Sequence, residues 1–468
     1  MKFGGTSVGN GECIQRTAEI VARAAKDGSV VTVVSAMGGV TNNLVAAAAR
    51  SAAGDQTVAA DLAQTLREKH QAAIDIVTTD NETRARLMAE METVIDEVIS
   101  LCRGTAMLRE LTPRALDSIS SAGERLSSRI LASAVCELGL RGVSVEGFEL
   151  IVTDNTHGQA IPLAEHTRAR VADRLLPLIE EGAAVIVSGF TGATEQGNVT
   201  TLGRGGSDYS ATILGAALDA EEIIIWTDVD GVMTADPRLV PRARTLSEIS
   251  YNEAAELAYF GAKVLHPKTL RPIVDKGIPV WIRNSFAPER LGTKITAGGH
   301  PTSRGVKAIT AISDVSLITI GGRGIFGVPG VAAKTFTAAA RARANVLLIS
   351  QSSSEIDICF IVSSADATRT VEMLRETFAS DSVHEQIEHI TVDPDIAIVA
   401  VVGDMMRGTP GIAGRTFSCL GRRNINIIAI AQGSSEYNVS FVVSARSMPE
   451  AVLAVHEEFE LEAPGALV

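Results

Sequence analysis

Hydrophobic and polar positions alternate along the chain in two distinct regimes. Over the first 300 or so residues, short runs that are apolar on both faces are separated by long alanine-rich stretches of helical period. Val30–Ser35, Val185–Ser188, Ile223–Thr227 and Pro279–Ile282 predict buried strands of a parallel sheet, whose central members meet helices on either side. Thr57–Thr79, Glu82–Cys102, Pro113–Leu138 and Ala211–Leu218 predict helices, and Ser250-Tyr251-Asn252-Glu253 has the capping-box form of another helix start. Strand, glycine turn, helix, strand is the α/β layout, an open and mostly parallel sheet sandwiched by helices. Ligands of such sheets gather at the carboxyl ends of the strands, where Gly38-Gly39, Gly189 and Asp228 lie.

From about Ser303 the pattern changes and repeats. Gly327 to Ser363 aligns without gaps on Gly408 to Ser444 at a constant offset of 81, with 16 of 37 positions identical. Each copy reads as a glycine-proline turn, an amphipathic helix, then Asn345 or Asn426. A strand ending at Gln351 or Gln432 and a second strand follow. With a strand before each copy (Val315–Ile320, Ile396–Val402) and a helix after, the tail predicts two βαββαβ units. The seam between such units is a natural small-ligand site. Gly322-Arg323-Gly324-Ile325-Phe326-Gly327 has the dinucleotide-binding spacing. No acidic residue ends the next strand and the second copy lacks the pattern, so it is read as a turn constraint.

Composition narrows the function. A formal charge of −13 with no basic cluster argues against nucleic acid and anionic membrane surfaces as partners. No apolar run approaches a membrane span, and no apolar signal segment follows Lys2. The five cysteines form no CxxC pair and read as reduced thiols, so a cytoplasmic setting is expected.

Candidate chemistry sits in the turns. Thr200 to Thr212 joins Gly203, Gly205 and Gly206 to Arg204, Ser207 and Asp208 at a helix start. The glycines allow close backbone approach, the guanidinium offers a fork for a carboxylate or phosphate, and the helix start aims N–H groups at an anion. Lys2-Phe3-Gly4-Gly5-Thr6-Ser7-Val8 sets an ammonium before a glycine turn, a phosphate cradle that is not a Walker A loop because the lysine comes first. Ser35 to Asn42 places hydroxyls around a second glycine turn, and Gly123-Glu124 brings a carboxylate to an early helical turn. Trp226 to Arg238 is a strand end and polar turn suited to a nucleotide, and Lys263 adds a possible phosphate contact. His266, just before Pro267, is read as structural.

Taken in order, Lys2–Val8, Ser35–Asn42, Gly123-Glu124, Thr201–Asp208, Trp226–Arg238 and Phe260–Pro267 resemble aspartate kinases, members of the amino acid kinase family. The duplicated tail resembles paired ACT regulatory domains, and its Gln-Ser-Ser-Ser-Glu and Gln-Gly-Ser-Ser-Glu segments are most similar to the threonine-sensitive class. That class includes fusions to homoserine dehydrogenase, for which no room is expected before Val468. The resemblance implies an amino acid kinase domain over 1–302 and ACT domains over 303–393 and 394–468, the C-terminal part completing the first ACT unit if the copies interleave. It implies ATP-dependent phosphorylation of the aspartate β-carboxylate, the first step towards lysine, threonine, methionine and isoleucine. The expected partners are L-aspartate, ATP and an amino-acid effector, threonine first and lysine second, in a homodimer or homotetramer built through the ACT domains.

By the same resemblance, Lys2 and Asp208 serve catalysis and Thr41, Glu124, Arg204 and Ser207 hold aspartate. Lys2, Gly4, Gly5, Thr6, Ser7, Thr227, Asp228, Met233, Arg238 and Lys263 bind ATP; Met233 stands where relatives often carry tyrosine. Asn345, Gln351, Asn426 and Gln432 face the effector. Mg²⁺ is expected to arrive with ATP and to touch at most Asp208, without a dedicated protein site. Another carboxylate kinase of the same family and a non-catalytic amino-acid sensor are the alternatives. Glu124 favours a substrate with a free ammonium, and the joint presence of Lys2, Arg204 and Asp208 disfavours an inert scaffold.

Overall fold

The computed structural model describes residues 1–262, 265–299, 305–322, 328–351, 357–379, 387–406, 408–433 and 437–463. Contacts divide the chain into two units. The first comprises 1–232, 247–251 and 264–299; the second comprises 233–246, 252–263 and 300–468. Two pieces of the expected 1–302 domain, carrying Met233, Arg238 and Glu253, thus belong with the C-terminal unit.

The first unit holds an eight-stranded sheet. In chain order its strands are β1 (Lys2–Phe3), β2 (Val31–Val34), β3 (Gly142–Val145) and β4 (Ala184–Ser188); a separate hairpin, β5 (Thr191–Ala193) and β6 (Val199–Thr201), comes next. β7 (Ile223–Thr227), β8 (Glu248–Ser250), β9 (Val280–Asn284) and β10 (Thr293–Thr296) complete the sheet. The order is β3-β4-β2-β1-β7-β9-β10-β8, and only the β9–β10 pairing is antiparallel. The strands are apolar on both faces because helices cover both. A buried core built around Phe3, Ile14, Leu44, Ile74, Met91, Leu126 and Trp226 packs one face. Phe3 and Trp226 stack with centroids 5.9 Å apart, fixing β1 against β7.

The stretch predicted as one helix over Pro113–Leu138 is two, Pro113–Ser120 and Ala122–Glu137. The break has a local cause. Ser120 and Ser121 hydroxyls donate back to the carbonyls of Asp117 and Ser118, competing with the helical ladder.

The tail forms one six-stranded antiparallel sheet containing both repeats. Its strands are β11 (Ala308–Gly321), β12 (Leu348–Gln351), β13 (Asp357–Ser363), β14 (His389–Val402), β15 (Ala429–Ala431) and β16 (Asn438–Ser444), in the order β12-β13-β11-β14-β16-β15. β11 and β14 are long strands shared by both copies. The end of β11 (Val315–Gly321) pairs with β13 and with the start of β14, completing the first copy. The end of β14 (Ile396–Val402) pairs with β16 and with the start of β11 (Ala308–Ile312). The interleaving is therefore the reverse of the expectation: the second copy takes its fourth strand from ahead of the first. Register shifts between Ile312 and Leu317 mark the crossover. Each copy has its own core, around Phe360 and Leu374 in the first and Phe441 and Phe459 in the second. Glu253, read as a capping glutamate, is wholly buried in this unit. Its carboxylate accepts from Lys307 Nζ at 2.7 Å and from the Asp404 N–H at 2.7 Å.

Candidate active site

The central strand β1 is two residues long, yet parallel neighbours on both sides hold it in register: Lys2 lies opposite Val33 of β2 and Ile225 of β7. Lys2 is 8% exposed, and its Nζ lies 2.6 Å from Asp208 Oδ1. Asp208 stands in the first turn of the helix Gly206–Ala217, where a carboxylate is favoured by the helix dipole. Gly205 caps that helix at φ 71° and Gly203 sits at φ 73°, a region that disfavours any Cβ.

The turn after β1 is packed against its neighbours. The Gly4 N–H donates to the Trp226 carbonyl at 3.2 Å, and a Cβ on Gly4 would lie 3.6 Å from Lys2 Nζ. A Cβ on Gly5 would lie 2.9 Å from the Ala36 carbonyl oxygen. Ser7 Oγ is 2.8 Å from Ser285 Oγ, whose backbone N–H donates to the Thr227 carbonyl at 2.8 Å. The ends of β1, β7 and β9 are thereby tied together. Thr6 and Asp228 are exposed there, and Thr227 Oγ1 donates to Asp228 Oδ1 at 3.3 Å.

Glu124 approaches the same turn from the helix Ala122–Glu137. Only a glycine fits at 123, since a Cβ would lie 2.6 Å from Ala36 Cβ. Glu124 is 4% exposed, accepts from the Ala36 N–H, and leaves Oε2 without a hydrogen-bond partner among the described residues. Burial pushes its pKa up from 4.5 to about 8, opposed by the Ala36 N–H and the Lys2 ammonium. An unpaired buried carboxyl oxygen is costly unless a ligand completes it. Thr41, half-buried, opens the helix Val40–Ala52 behind Gly39, which takes φ 84°.

Ser207 is buried, and a Cβ on Gly189 would come within 2.8 Å of its Cβ. Arg204 is exposed, with no ion pair among the described residues. His266, as expected of a structural residue, accepts the Lys268 N–H at its Nδ1 and heads a short 3-10 turn.

Lys2, Gly4, Gly5, Ser7, Glu124, Ser207, Asp208, Thr227 and Asp228 are thus linked by contacts around the carboxyl ends of the strands. Met233 and Arg238 belong to the other unit, where Met233 bridges to Thr245 and Arg238 forks onto Asp236 at 2.6 Å. Lys263 lies outside the described residues, as does the turn of residues 323–327. Asn345, Gln351, Asn426 and Gln432 are all exposed; Gln351 ends β12, Gln432 follows β15, and those two strands, at the two ends of the sheet order, touch without pairing among the described residues.

Sequence reasoning missed three features. Phe190 holds φ 70°, an uncommon strain for a bulky residue, directly after Gly189. Asp117 is a buried carboxylate, bonded to His157, Gly158 and Thr201. Lys268 Nζ donates to the Leu202 carbonyl, beside the glycine loop. The Gly189-Phe190 pair at a strand end was the one visible signal.

The model of the amino acid kinase family matches residues 1–284. The chain belongs to the amino acid kinase family. An ACT domain model matches 318–378 and 399–459, the two repeats. Among its relatives is the bifunctional aspartokinase/homoserine dehydrogenase 1, chloroplastic, of Arabidopsis thaliana, 35% identical over 98% of this chain and 51% of the relative. Aspartokinase 1, chloroplastic, of the same plant is 34% identical, over 98% and 79%. The chain spans about half the length of the bifunctional relatives. Escherichia coli aspartokinase III matches in complex with aspartate and ADP at TM-score 0.81, and with lysine and aspartate at 0.80. Identity is 30% and coverage 98% of both chains in each case. The mostly parallel sheet and the paired ACT units agree with the family fold. No described helix is long and apolar enough to cross a membrane.

Proposed function

We propose that this amino acid kinase phosphorylates the β-carboxylate of L-aspartate with ATP, giving 4-phospho-L-aspartate. One observation carries the reading most: Lys2, paired to Asp208, lies in the field of Glu124, a buried carboxyl with a vacant oxygen. A site for a free amino acid needs an anion for the α-ammonium and a cation for the transferring phosphoryl, and these residues supply both. The aspartokinase relatives, and the aspartate and ADP held by the E. coli neighbour, support the choice of substrate.

Glu124 takes the α-ammonium, and Arg204, with no carboxylate partner among the described residues, forks onto the α-carboxylate. Thr41 and Ser207 complete the aspartate contacts. The β-carboxylate, with an ordinary pKa near 4, is already ionised at neutral pH and needs no general base. The barrier is the approach of one anion to another, so stabilisation comes from Lys2 and from N–H groups at the start of the helix Gly206–Ala217. Gly4, Gly5, Thr6, Ser7, Thr227 and Asp228 line the phosphate side, and the family resemblance assigns Met233, Arg238 and Lys263 to the nucleotide as well. Asp208 offers hard oxygen donors of the kind Mg²⁺ prefers, fitting a cation that arrives with ATP. That cation supplies charge neutralisation on the phosphates.

In the tail, Gln351 and Gln432, with Asn345 and Asn426, hold the feedback effector. Threonine is the proposed ligand, by resemblance to the threonine-sensitive class; the E. coli neighbour holds lysine. The test is ATP-dependent hydroxamate formation with aspartate, glutamate and N-acetylglutamate, each with threonine, lysine or methionine added. Product from aspartate alone, suppressed by threonine, is expected. Product from glutamate but not aspartate overturns the substrate. An unchanged threonine response in Gln351→Ala and Gln432→Ala moves the effector site elsewhere.

A further inference from the structure

The glycine loop that carries Arg204 follows directly on β6, and something must fix where it starts. Asp117 does so from a helix some eighty residues earlier in the chain. Its side chain is 2% exposed and accepts from three donors. Thr201 Oγ1, at the end of β6, donates to Oδ1 at 2.6 Å. The Gly158 N–H spans both oxygens at 3.1 Å. His157 Nδ1 lies 2.7 Å from Oδ2. A buried carboxylate with all its partners supplied by one loop and one strand end is a clamp between them.

Both clamped pieces bear on the glycine loop. The Ala160 N–H donates to the Thr201 carbonyl at 2.9 Å, and Thr153 Oγ1 meets Thr200 Oγ1 at 2.7 Å, so the segment 153–160 tracks β6. The Gly158 carbonyl then closes on Gly203, where a Cβ would lie only 2.8 Å from it. On the other side Lys268 Nζ holds the Leu202 carbonyl. Residues 201–203 are thus held from two sides, and Arg204 projects into solvent one residue later.

We propose that Asp117 is a positioning residue for substrate binding: through Thr201 and Gly158 it fixes the backbone from which Arg204 reaches the substrate carboxylate. The proposal rests on the reading of Arg204 as the aspartate anchor. It predicts a split. Loosening the clamp weakens aspartate and spares ATP, whose contacts start from β1 and β7.

The experiment uses the full chain with Asp117→Ala and the milder Thr201→Val. Asp117→Ala should raise the aspartate KM at least about tenfold while the ATP KM stays within about twofold; Thr201→Val should show the same split at about threefold. Limited trypsin digestion reads the loop without reference to activity. Cleavage after Arg204 should accelerate in both variants, while cleavage after Arg343, exposed just past the helix Val331–Arg341 of the other unit, should not. If the wild-type chain forms no product from aspartate, the proposed function falls but the cleavage pattern still decides the clamp. Equal rises in both KM values, or unchanged cleavage after Arg204, overturn it. Should Asp117→Ala fail to fold, Thr201→Val decides by the same two readouts.

Discussion

Replacing Glu124 with glutamine should stabilise the ligand-free protein and remove its hold on aspartate. The native carboxyl is fully buried, and its pKa is raised from 4.5 to about 8. A rise of that size disfavours the carboxylate by roughly 5 kcal/mol relative to water. The sign follows from proton counting. Below pH 4.5 both folded and unfolded chains keep the proton and Glu124 costs nothing. Between 4.5 and about 8 the unfolded chain releases a proton that the folded one retains, so stability falls as pH rises, and above 8 the cost levels off. At pH 7 the accumulated cost is roughly 3 kcal/mol, and at pH 5 about 1 kcal/mol. Glutamine has the same shape and no such proton to lose.

Urea denaturation of wild type and Glu124→Gln at pH 5, 6, 7 and 8 checks this directly. The stability gap should widen with pH in favour of the variant. A gap that is flat across the range refutes the raised pKa and with it the vacancy of Oε2. Aspartate supplies the complementary readout. At pH 7 only about a tenth of Glu124 is ionised, so the wild-type KM for aspartate should fall several-fold between pH 7 and 8.5. The variant should bind aspartate about 10–100-fold more weakly, with no such trend, because a charge-assisted contact is lost. Greater stability joined to lost affinity is the trade expected of a group held in strain for its ligand.

Two further outcomes test other parts of the molecule. Lys2→Ala should lower kcat by about two orders of magnitude or more while aspartate KM moves far less, since the ammonium acts on charge that shifts during transfer; equal changes in both would reduce Lys2 to a positioning role. Lys307→Met leaves the wholly buried Glu253 without its 2.7 Å cation and should cost about 3–5 kcal/mol in denaturation, much of it recovered by adding Glu253→Gln.

Much of the candidate site was legible because its residues announce themselves locally. Lys2, Arg204 and Asp208 each stand beside glycines whose spacing only a ligand or a close approach explains, and Glu124 follows a glycine in an otherwise apolar helix. The parallel sheet was legible for a similar reason, since strands apolar on both faces have few other homes. Asp117 and His157 carried no such signal. Their partners lie about forty and eighty residues apart in the chain, and a lone aspartate in a short helix reads as solvated until the fold closes over it.

The repeat shows a different limit. Sixteen identical positions establish two copies of one unit, but identity between copies cannot say which copy lends a strand to which. The exchanged piece, Ala308–Ile312, supplies backbone N–H and C=O groups along the end of β14, and a ladder accepts any such strand. What decides is geometry outside the repeat. β11 and β14 are each fourteen residues long, so each runs past its own copy into the other, with a register shift where it changes partner. A shared strand pair ties the two copies into one sheet, so displacing β12 at Gln351 strains β14, on which Gln432's own copy is built. If the two glutamines hold the effector as proposed, they do not act independently in this fold, and the effects of single and double substitutions at 351 and 432 on the threonine response should not add.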